Sequence, residues 1–551
     1  MKRIVSMTIA TFMVFSMTAC GGTKGSSNDS NKSILNIGVM DDGVGTEWLE
    51  NIAADFEDYY KDRQFEEGKT GVEIIIDAKK DEFKIQNLIT TMPYYDNTLY
   101  FCESFNHNSF YDQGLILDIT DTVTEKIYDE DGNFAADTGK DATQSIIDTM
   151  YPEYKERLLK EGDKYYSLPH RVFINSIIYD ADLFNSMGFY FLPNNQIGAK
   201  QADIDSGNCA PGPDGKMGTY DDGMPATWSQ FMSLMDYMVA KSVTPFTWSG
   251  DTIYQKEFLM DLVWANYEGA NDYRLNYSFD GIDSQFGKID ETNWTQLLGQ
   301  EGRKAGIKAS KDVVSNSKYY SAKADKQTFT EAQFEYVYST MTNQKIAMFL
   351  EGSYWENEAR STFDEMAKTN KNFGYGQRNF KLLPIPNFYG IADVADQTKD
   401  VTDRVITATG ANGTGVCIAS QNLCENYEVQ VELSKLFIQF SQRRDQLANF
   451  TRDTGGCFKV FNFEPTKEEL SGWTKFGQSI WAQMKEGAVM VTDFDESEIR
   501  WTNAERFKDT SWTFKHSVFN EPISYFMSNP THSVKQCFDN VYNTMSNDFK
   551  L

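Results

Sequence analysis

The sequence predicts an α/β protein built from two lobes. Segments with the pattern of strands alternate with segments of helical periodicity through both halves of the chain, which is typical of the α/β class. The alternation begins with a strand, a helix and a second strand, an order that favours parallel pairing through a right-handed crossover. At 551 residues, 40% of them hydrophobic and 14% aromatic, the chain exceeds one ordinary domain and can fill two cores.

The first twenty residues predict export. A basic start precedes an apolar stretch at residues 4–15, which is about twelve residues long and shorter than the roughly twenty that a membrane-spanning helix needs. Residues 17–20 read Met-Thr-Ala-Cys and resemble the bacterial lipobox, in which the cysteine thiol receives diacylglycerol. We therefore expect residues 1–19 to be a signal peptide and residues 20–33 to be a flexible tether that is lipid-anchored at Cys20. Ordinary secretion with a free thiol is the alternative.

The charge balance excludes polyanionic partners. The chain has 80 acidic and 52 basic side chains and a formal net charge of −28. Nucleic acid and a bare anionic membrane surface would be repelled overall, so we expect no nucleic-acid partner and membrane contact through the lipid anchor only. The same charge suits a solvated surface that keeps an exported protein in solution.

The first part of the chain contains the strand–helix–strand unit and its continuation. The predicted helix after the first strand places Trp48, Ile52 and Phe56 on one face. The predicted strands in this part are residues 34–40, 72–76 and 98–102, and a second helix is predicted over residues 83–92. The pattern therefore predicts a parallel sheet in the first lobe.

The second part begins with an apolar run over residues 172–179, which predicts another strand. Thr227 and Gln230 have the spacing of a capping box, and a stripe of methionine and aromatic residues behind them predicts a helix packed on the core. Further helices are predicted over residues 331–341 and 427–440.

Two acidic segments, residues 128–141 and 193–223, are predicted to be loops inserted into this frame, because Asp, Gly and Pro dominate them. Carboxylates interleaved with glycines in the second segment suit Ca²⁺, which takes about six to eight oxygen ligands. The candidate ligands are Asp203, Asp205, Asp214, Asp221 and Asp222. No cofactor is expected apart from this structural Ca²⁺, and a solvated acidic turn is the alternative.

Five segments, in a fixed order behind the lipobox, resemble motifs of a known family. The first is the strand, turn and helix at residues 37–60, and the second has two parts, DKYYSLP at 163–169 and YDADLF at 179–184. The others are MPATWSQF at 224–231, IAMFLEGSYW at 346–355 and LLPIP at 382–386. Together they are similar to the extracellular solute-binding proteins of the carbohydrate-uptake type, which include the maltose-binding proteins. The resemblance covers most of the chain after the tether.

This resemblance implies a periplasmic-binding-protein-like fold of type II, in which two α/β lobes joined by crossing hinge strands close around a ligand. The crossings are expected near residues 166–175, 405–414 and 451–458. Lobe I would comprise residues 34–165 plus 413–453. Lobe II would comprise residues 166–412 plus 454–551, with the acidic loop 193–223 inserted.

The resemblance also implies a function. Proteins of this type are the substrate-binding components of ABC importers, so we expect a monomeric lipoprotein without enzymatic activity on the outer face of a bacterial cytoplasmic membrane. It would capture a sugar or oligosaccharide in the interlobe cleft by hinge closure and deliver it to permease subunits.

Two alternatives remain open. Because a fold does not fix its ligand, the same two lobes could bind a peptide, a metal chelate or another solute. An exported carbohydrate-active enzyme is the other, since pairs such as Asp221 with Asp222 or Asp493 with Glu496 resemble a catalytic acid and nucleophile. The chain has no HExxH, GxSxG or Walker motif and four His residues, which argues against most hydrolase and zinc-enzyme classes.

Sugar sites pair aromatic platforms with carboxylates, amides and guanidinium groups that bind hydroxyls in two-pronged fashion. The resemblance places such platforms at Tyr354 and Trp355, which follow Gly-Ser, and at Trp248, with Asp251 beyond it. Packing in the core is the alternative for each aromatic residue.

Polar ligands are implied on the first lobe and at the first crossing. The first-lobe candidates are Asp41 and Asp42 after the first strand and Glu103, Asn106 and His107 after the strand at residues 98–102. The crossing adds His170, Arg171 and Phe173. Turn capping explains the two aspartates equally well, and a surface hinge role is the alternative for the histidine and arginine of the crossing.

Overall fold

The computed structural model describes residues 31–103, 107–155, 160–250, 259–278, 286–290, 292–397, 406–487, 489–492 and 521–546. The architecture is mixed α/β, as the sequence predicts. The strands are β1 (Ser33–Met40), β2 (Val72–Lys79), β3 (Leu99–Glu103), β4 (Lys160–Glu161), β5 (Lys164–Tyr165), β6 (Leu168–Asp180), β7 (Tyr190–Phe191), β8 (Ile197–Ala199), β9 (Val243–Thr247), β10 (Lys345–Gly352), β11 (Phe380–Leu382), β12 (Ile406–Ile418), β13 (Phe458–Lys459) and β14 (Val489–Thr492).

Helices lie between these strands and after them. They are α1 (Glu47–Tyr59), α2 (Ile85–Thr91), α3 (His107–Asp112), α4 (Thr120–Thr124), α5 (Ala135–Thr138), α6 (Ile146–Thr149), α7 (Pro152–Lys155), α8 (Ala181–Met187), α9 (Gln201–Asp205), α10 (Trp228–Ala240), α11 (Asp261–Glu268), α12 (Ala270–Ser278), α13 (Thr295–Leu298), α14 (Glu301–Val313), α15 (Phe329–Ser339), α16 (Trp355–Glu358), α17 (Arg360–Ala367), α18 (Tyr427–Phe440), α19 (Arg444–Asp453), α20 (Lys467–Ser471), α21 (Lys475–Lys485), α22 (Pro522–Ser528) and α23 (Val534–Ser546). Short 3-10 helices lie at Met92–Tyr94 and Lys371–Phe373. Within the described ranges, every helix falls short of the length and apolar character that crossing a membrane requires.

Two long antiparallel strands, β6 and β12, join the halves of a ten-stranded sheet. Seven of its strands follow the order β2-β1-β3-β12-β6-β10-β9, while β11 and β13 pair with β6 and β14 pairs with β12. The end of β12 at residues 414–418 pairs with β3, and the end of β6 at residues 175–179 pairs with β10. Each long strand thus runs from one half into the other, which confirms the crossings expected near residues 166–175 and 405–414. The third crossing was expected near residues 451–458. It begins later, because α19 extends to residue 453 and the chain pairs with β6 only at β13.

Local sequence signals account for the elements around these crossings. β1 and β2 pair in parallel across α1, which confirms the strand–helix–strand unit. The Thr227 side chain accepts from the backbone of Gln230 in a reciprocal capping box, and α10 buries Trp228, Phe231 and Met235. The methionine and aromatic stripe is therefore core, as predicted.

Both acidic segments contain regular structure, which corrects the prediction that they are loops throughout. α5 lies in the first segment, and Tyr128 forms a bridge with Phe134 there. The second segment contains β8, which pairs with β7, and α9. Regular structure forms in the second segment because apolar Ile197 and Ala199 interrupt the polar composition and supply a two-stranded ladder.

The core extends beneath both halves of the sheet. One cluster includes Trp228, Phe246 and Trp264 and lies under β9 and β10. Another joins Trp48 of α1 to Trp481 of α21, so it passes beneath the crossing strands from one side to the other. The residue bounds of the two lobes stay a prediction.

Candidate functional site

Two chain segments meet where the parallel strands of the two halves end. Residues 41–47 follow β1, and residues 353–360 follow β10; we call these two segments together the interlobe seam. Ligands of open α/β sheets bind outside the carboxyl ends of strands, so the topology itself marks this location. The Asn357 side chain donates to the Val44 carbonyl at 3.1 Å, and Arg360 pairs with Glu47 at 2.8 Å. The seam is closed by direct contacts in this structure.

A buried ion pair lies beside the seam. Arg171, on β6, donates through two guanidinium nitrogens to the two carboxylate oxygens of Asp42. Their side chains are 2% and 9% exposed, so the two charges neutralise each other away from bulk water. Asp42 also accepts from the Val44 backbone at 3.0 Å, so the carboxylate caps its own turn while it holds the arginine. Of the residue types suited to a sugar hydroxyl, the structure brings this carboxylate and guanidinium together.

Tyr354 lies at the other wall of the seam, at the N-cap of α16, and is half-buried. A side chain on Gly352 would collide with the Tyr354 ring, so the Gly-Ser dipeptide before the tyrosine is what lets the ring fold back over the end of β10. Glu351 lies beneath it and is fully buried. Burial, reinforced by the nearby Glu358 carboxylate, raises the pKa of Glu351 well above its ordinary value. Burial therefore favours the protonated form of the carboxyl group that lies against the tyrosine.

His170 does not face the cleft, which corrects the sequence expectation. Its ring is 1% exposed and lies among Trp48, Phe101 and Phe450, with ring centroids 4.9, 4.8 and 5.4 Å away. The side chains of successive strand residues point to opposite faces, so His170 enters the core where Arg171 turns toward the seam. Burial, with the nearby positive charge of Lys459, lowers the pKa of His170 well below its ordinary value.

Trp355 and Trp248 are also core residues, against the expectation that they line the cleft. Trp355 is fully buried, with Phe380, Tyr336 and Phe349 at ring-centroid distances of 4.9, 5.6 and 5.9 Å. Trp248 is fully buried after β9, and its ring lies 5.2 Å from that of Tyr320. Polar neighbours along the sequence did not keep this indole exposed, because residues 319–327 cover it.

The other predicted ligand residues are placed less completely. Asp41 is exposed at the end of β1, and its backbone nitrogen donates to the Lys79 carbonyl at 3.3 Å. Glu103 ends β3, His107 begins α3, and Phe173 lies on β6 opposite Ala411. Asn106 and Asp251 lie outside the described residues, as does the lipidation candidate Cys20.

The carboxylates of the candidate calcium loop bind the loop itself. Asp221 accepts from the Asp214 backbone and the Thr219 hydroxyl, at 2.8 and 2.7 Å. Asp222 accepts from the Gly218 backbone, Asp203 accepts from the Lys200 backbone at the start of α9, and Asp205 accepts from the Gln201 side chain. In the part of the chain that the structure describes, no group of three or more His, Cys, Asp or Glu side chains is arranged to hold a metal ion. The calcium site stays a prediction.

Sequence reasoning missed two polar residues of the seam, Asn357 and Glu358, and one beside it, Gln333. The Gln333 amide donates to Glu358, and a side chain on Gly43 would collide with the Glu358 carboxylate, so Glu358 reaches across from one half to the other. Asn357 makes the second crossing contact. Asn357 and Glu358 were open to detection only through the polar Glu-Asn-Glu run that follows the Tyr-Trp pair, and nothing in the spacing around Gln333 points to its partner.

Comparison with known proteins supports this architecture through structure alone. No family model matches the sequence, and no curated protein matches it. A solute-binding protein, RafE, solved in complex with raffinose, is similar over 93% of this chain and 99% of its own, with 14% identity and a TM-score of 0.52. A chitin oligosaccharide binding protein is similar over 94% and 99%, with 12% identity and a TM-score of 0.52.

A probable secreted solute-binding lipoprotein from Streptomyces coelicolor is similar over 94% of this chain and 99% of its own, with 12% identity and a TM-score of 0.54. At identities this low the likeness establishes the fold. The chain therefore has the two-lobed α/β fold of these solute-binding proteins.

Proposed function

We propose that the protein is the substrate-binding lipoprotein of an ABC importer and captures a sugar or oligosaccharide between its lobes. The observation that carries the proposal is the seam itself. Two crossing strands join the lobes, the turn after β1 holds the Asp42 carboxylate against the Arg171 guanidinium group of β6, and Tyr354 follows β10 on the other wall. The solved structures of this fold named above are described as bound to raffinose or as binding chitin oligosaccharide, which favours a carbohydrate over a peptide.

Each seam residue has a role that suits a polyol. The Tyr354 ring offers an apolar face to the C–H side of a pyranose, and Asp42 and Arg171 offer two-pronged hydrogen bonding to neighbouring hydroxyls. In this structure the two charged groups satisfy each other. When the lobes separate about β6 and β12, a ligand would replace these mutual contacts with its own. The lobes would then close on the ligand, and its binding free energy would set the population of the closed form.

The proposal extends to location and partners. Residues 1–19 would direct export, Cys20 would carry the lipid, and residues 20–33 would hold the lobes off the outer face of the cytoplasmic membrane. The protein would act as a monomer and deliver its ligand to permease subunits without chemical change. The lobe division at residues 34–165 plus 413–453 and at residues 166–412 plus 454–551 belongs to the same proposal.

Thermal unfolding of residues 21–551 in the presence of single sugars tests the proposal. The panel is galactose, raffinose, N-acetylglucosamine and a chitin oligosaccharide series, with short peptides as a separate arm. A ligand at about one hundred times its Kd adds about 2.7 kcal/mol to the native state, which raises the melting temperature measurably. We expect one sugar to do so without any product appearing in chromatography of the mixture.

Tyr354→Ala should abolish this shift, whereas Tyr94→Ala should keep it. Tyr94 is the matched control because it is 72% exposed and precedes β3. It therefore lies at the amino-terminal end of that strand, whereas the seam lies at the carboxyl ends. Stabilisation by peptides alone would replace the ligand class, and hydrolysis of any sugar in the panel would overturn the assignment of a binding protein.

A further inference from the structure

Helix α15 carries an exposed aromatic face that the fold does not use. Its inner side buries Ala332, Tyr336 and Val337. Its outer side exposes Phe334 and Tyr338 at 51% and 48%, and Phe329 in the first turn is 40% exposed. Three of the seven exposed large hydrophobic side chains found among the described residues therefore lie on this one helix. Leaving a phenylalanine in water forgoes about 1.5–3 kcal/mol of burial, so the face is unexplained by stability.

Phe334 and Tyr338 form a ready platform. Their rings are stacked, with centroids 5.3 Å apart and planes 18° apart, as the i, i+4 spacing on a helix permits. The tyrosine therefore holds the phenylalanine ring in place from one side and leaves its other face open. A fixed aromatic plane loses little conformational freedom when a flat ligand stacks on it.

A cavity of about 680 Å³ opens beside Phe334. One wall is the first turns of α15, and the facing wall is formed by Glu358, Ser361 and Thr362 at the ends of α16 and α17. This volume lies within the range of about 300–1,000 Å³ that small-molecule sites occupy. Glu358 also reaches Gly43 across the interlobe seam, so the cavity lies against the seam.

The cavity wall contains a fixed amide. Gln327 is 6% exposed, and its side-chain nitrogen lies 3.0 Å from the Thr247 hydroxyl, 3.2 Å from the Trp248 carbonyl and 3.1 Å from a Glu335 carboxylate oxygen. A carbonyl and a carboxylate only accept, so the orientation of the amide is settled. Its carbonyl oxygen has no donor among the described residues, and a buried acceptor without a donor costs free energy.

The charges around the cavity balance. Two lysines, Lys323 and Lys326, and two glutamates, Glu331 and Glu358, line it. A strongly charged ligand would therefore meet both signs, whereas a neutral molecule rich in hydroxyls would find donors, acceptors and an aromatic face in one place.

We propose that this cavity is a second subsite for a neutral oligosaccharide, in which a pyranose ring beyond the one held at the seam stacks on Phe334 and directs hydroxyls toward Gln327 and Glu358. The inference rests on the proposed function and deepens it, because it makes the ligand longer than one sugar.

Isothermal titration of the full mature chain with matched sugars tests this. N-acetylglucosamine is compared with the chitin oligosaccharide series, and galactose with raffinose. Phe334→Ala should weaken binding of the longer member of whichever pair binds by about tenfold and leave the monosaccharide unchanged. Phe329→Ala is the matched control, since this exposed phenylalanine lies on the same helix but does not line the cavity.

The outcomes separate the two proposals. If the unmodified protein binds a sugar and Phe334→Ala binds every sugar with unchanged affinity, the subsite is overturned and the proposed function stands. Equal weakening of a monosaccharide and its oligomer also overturns the subsite, because the cavity would then hold the first ring. If no sugar binds the unmodified protein, both proposals fall together.

Discussion

Two aromatic regions of this protein, separated by the width of α15, differ in burial. The rings around Trp355 pack against one another in the core, whereas Phe334 and Tyr338 stack on each other in water. The resemblance to a known family pointed to the first region, and exposure points to the second. The contrast shows that a motif fixes which element a residue occupies, while the side of that element decides whether the residue stabilises the fold or meets a ligand.

The largest expected effect breaks the first region. Trp355→Ala should lower the free energy of unfolding by about 3–5 kcal/mol, because it leaves a cavity among Tyr336, Phe349 and Phe380 that these rings cannot fill. Urea denaturation followed by circular dichroism measures the loss. A loss below about 1 kcal/mol would mean that the tryptophan faces a space that ligand or water can occupy, and the contrast between the two regions would fail.

A smaller effect is expected where the core meets the seam. Asp42→Asn keeps the acceptor for the Val44 backbone but removes the charge that neutralises Arg171, so stability should fall by about 2–3 kcal/mol. Replacing the arginine by methionine in the same chain should restore much of this loss, since no buried charge then remains unpaired. If the double variant is no more stable than Asp42→Asn, the ion pair is not what the aspartate contributes.

Glu356, next to Trp355 in α16, sharpens the comparison through pH. The side chain is fully buried, and burial raises its pKa from 4.5 to about 8. The unfolded chain ionises near pH 4.5 while the native protein keeps the proton, so this group's contribution to stability is complete below that pH and is lost as pH rises to about 8.

Glu356→Gln should therefore remove at least about 1–2 kcal/mol of the decline in unfolding free energy between about pH 5 and 8. Urea unfolding of both proteins at several pH values measures the difference between the two curves. Burial also raises the pKa of Asp221, to about 7, so the unmodified protein keeps a second decline that the variant shares. Parallel curves would show that water reaches Glu356, and the region around Trp355 would then be less closed than its burial indicates.

Much of the fold follows from local patterns. Helix α18 begins at Tyr427 and ends at Phe440, as predicted, because its apolar spacing is long and regular. The start of α10 follows from the capping box, in which Thr227 and Gln230 satisfy each other's backbone nitrogens. Such signals lie within one segment, so they survive the absence of any tertiary information.

The site could be predicted only in part. Adjacent helical residues point about 100° apart, so Tyr354 turns to the seam while Trp355 enters the core, and only the packing of distant strands decides which does which. Asp42 and Arg171 were predicted singly, but their pairing joins residues 129 positions apart. Phe334 left one signal: it and Tyr338 are four residues apart on a helix that already has an inner face at Ala332 and Tyr336.

The smallest expected effect completes the comparison. Phe334→Ala should change the free energy of unfolding by less than about 0.5 kcal/mol, since half of its ring is exposed and it adds little to the core. The same urea titration used for Trp355→Ala measures it. A residue whose removal spares stability but weakens an oligosaccharide is retained for binding, whereas a loss of several kcal/mol would place Phe334 with the core residues, and the exposed face of α15 would then need an explanation in folding rather than in ligand recognition.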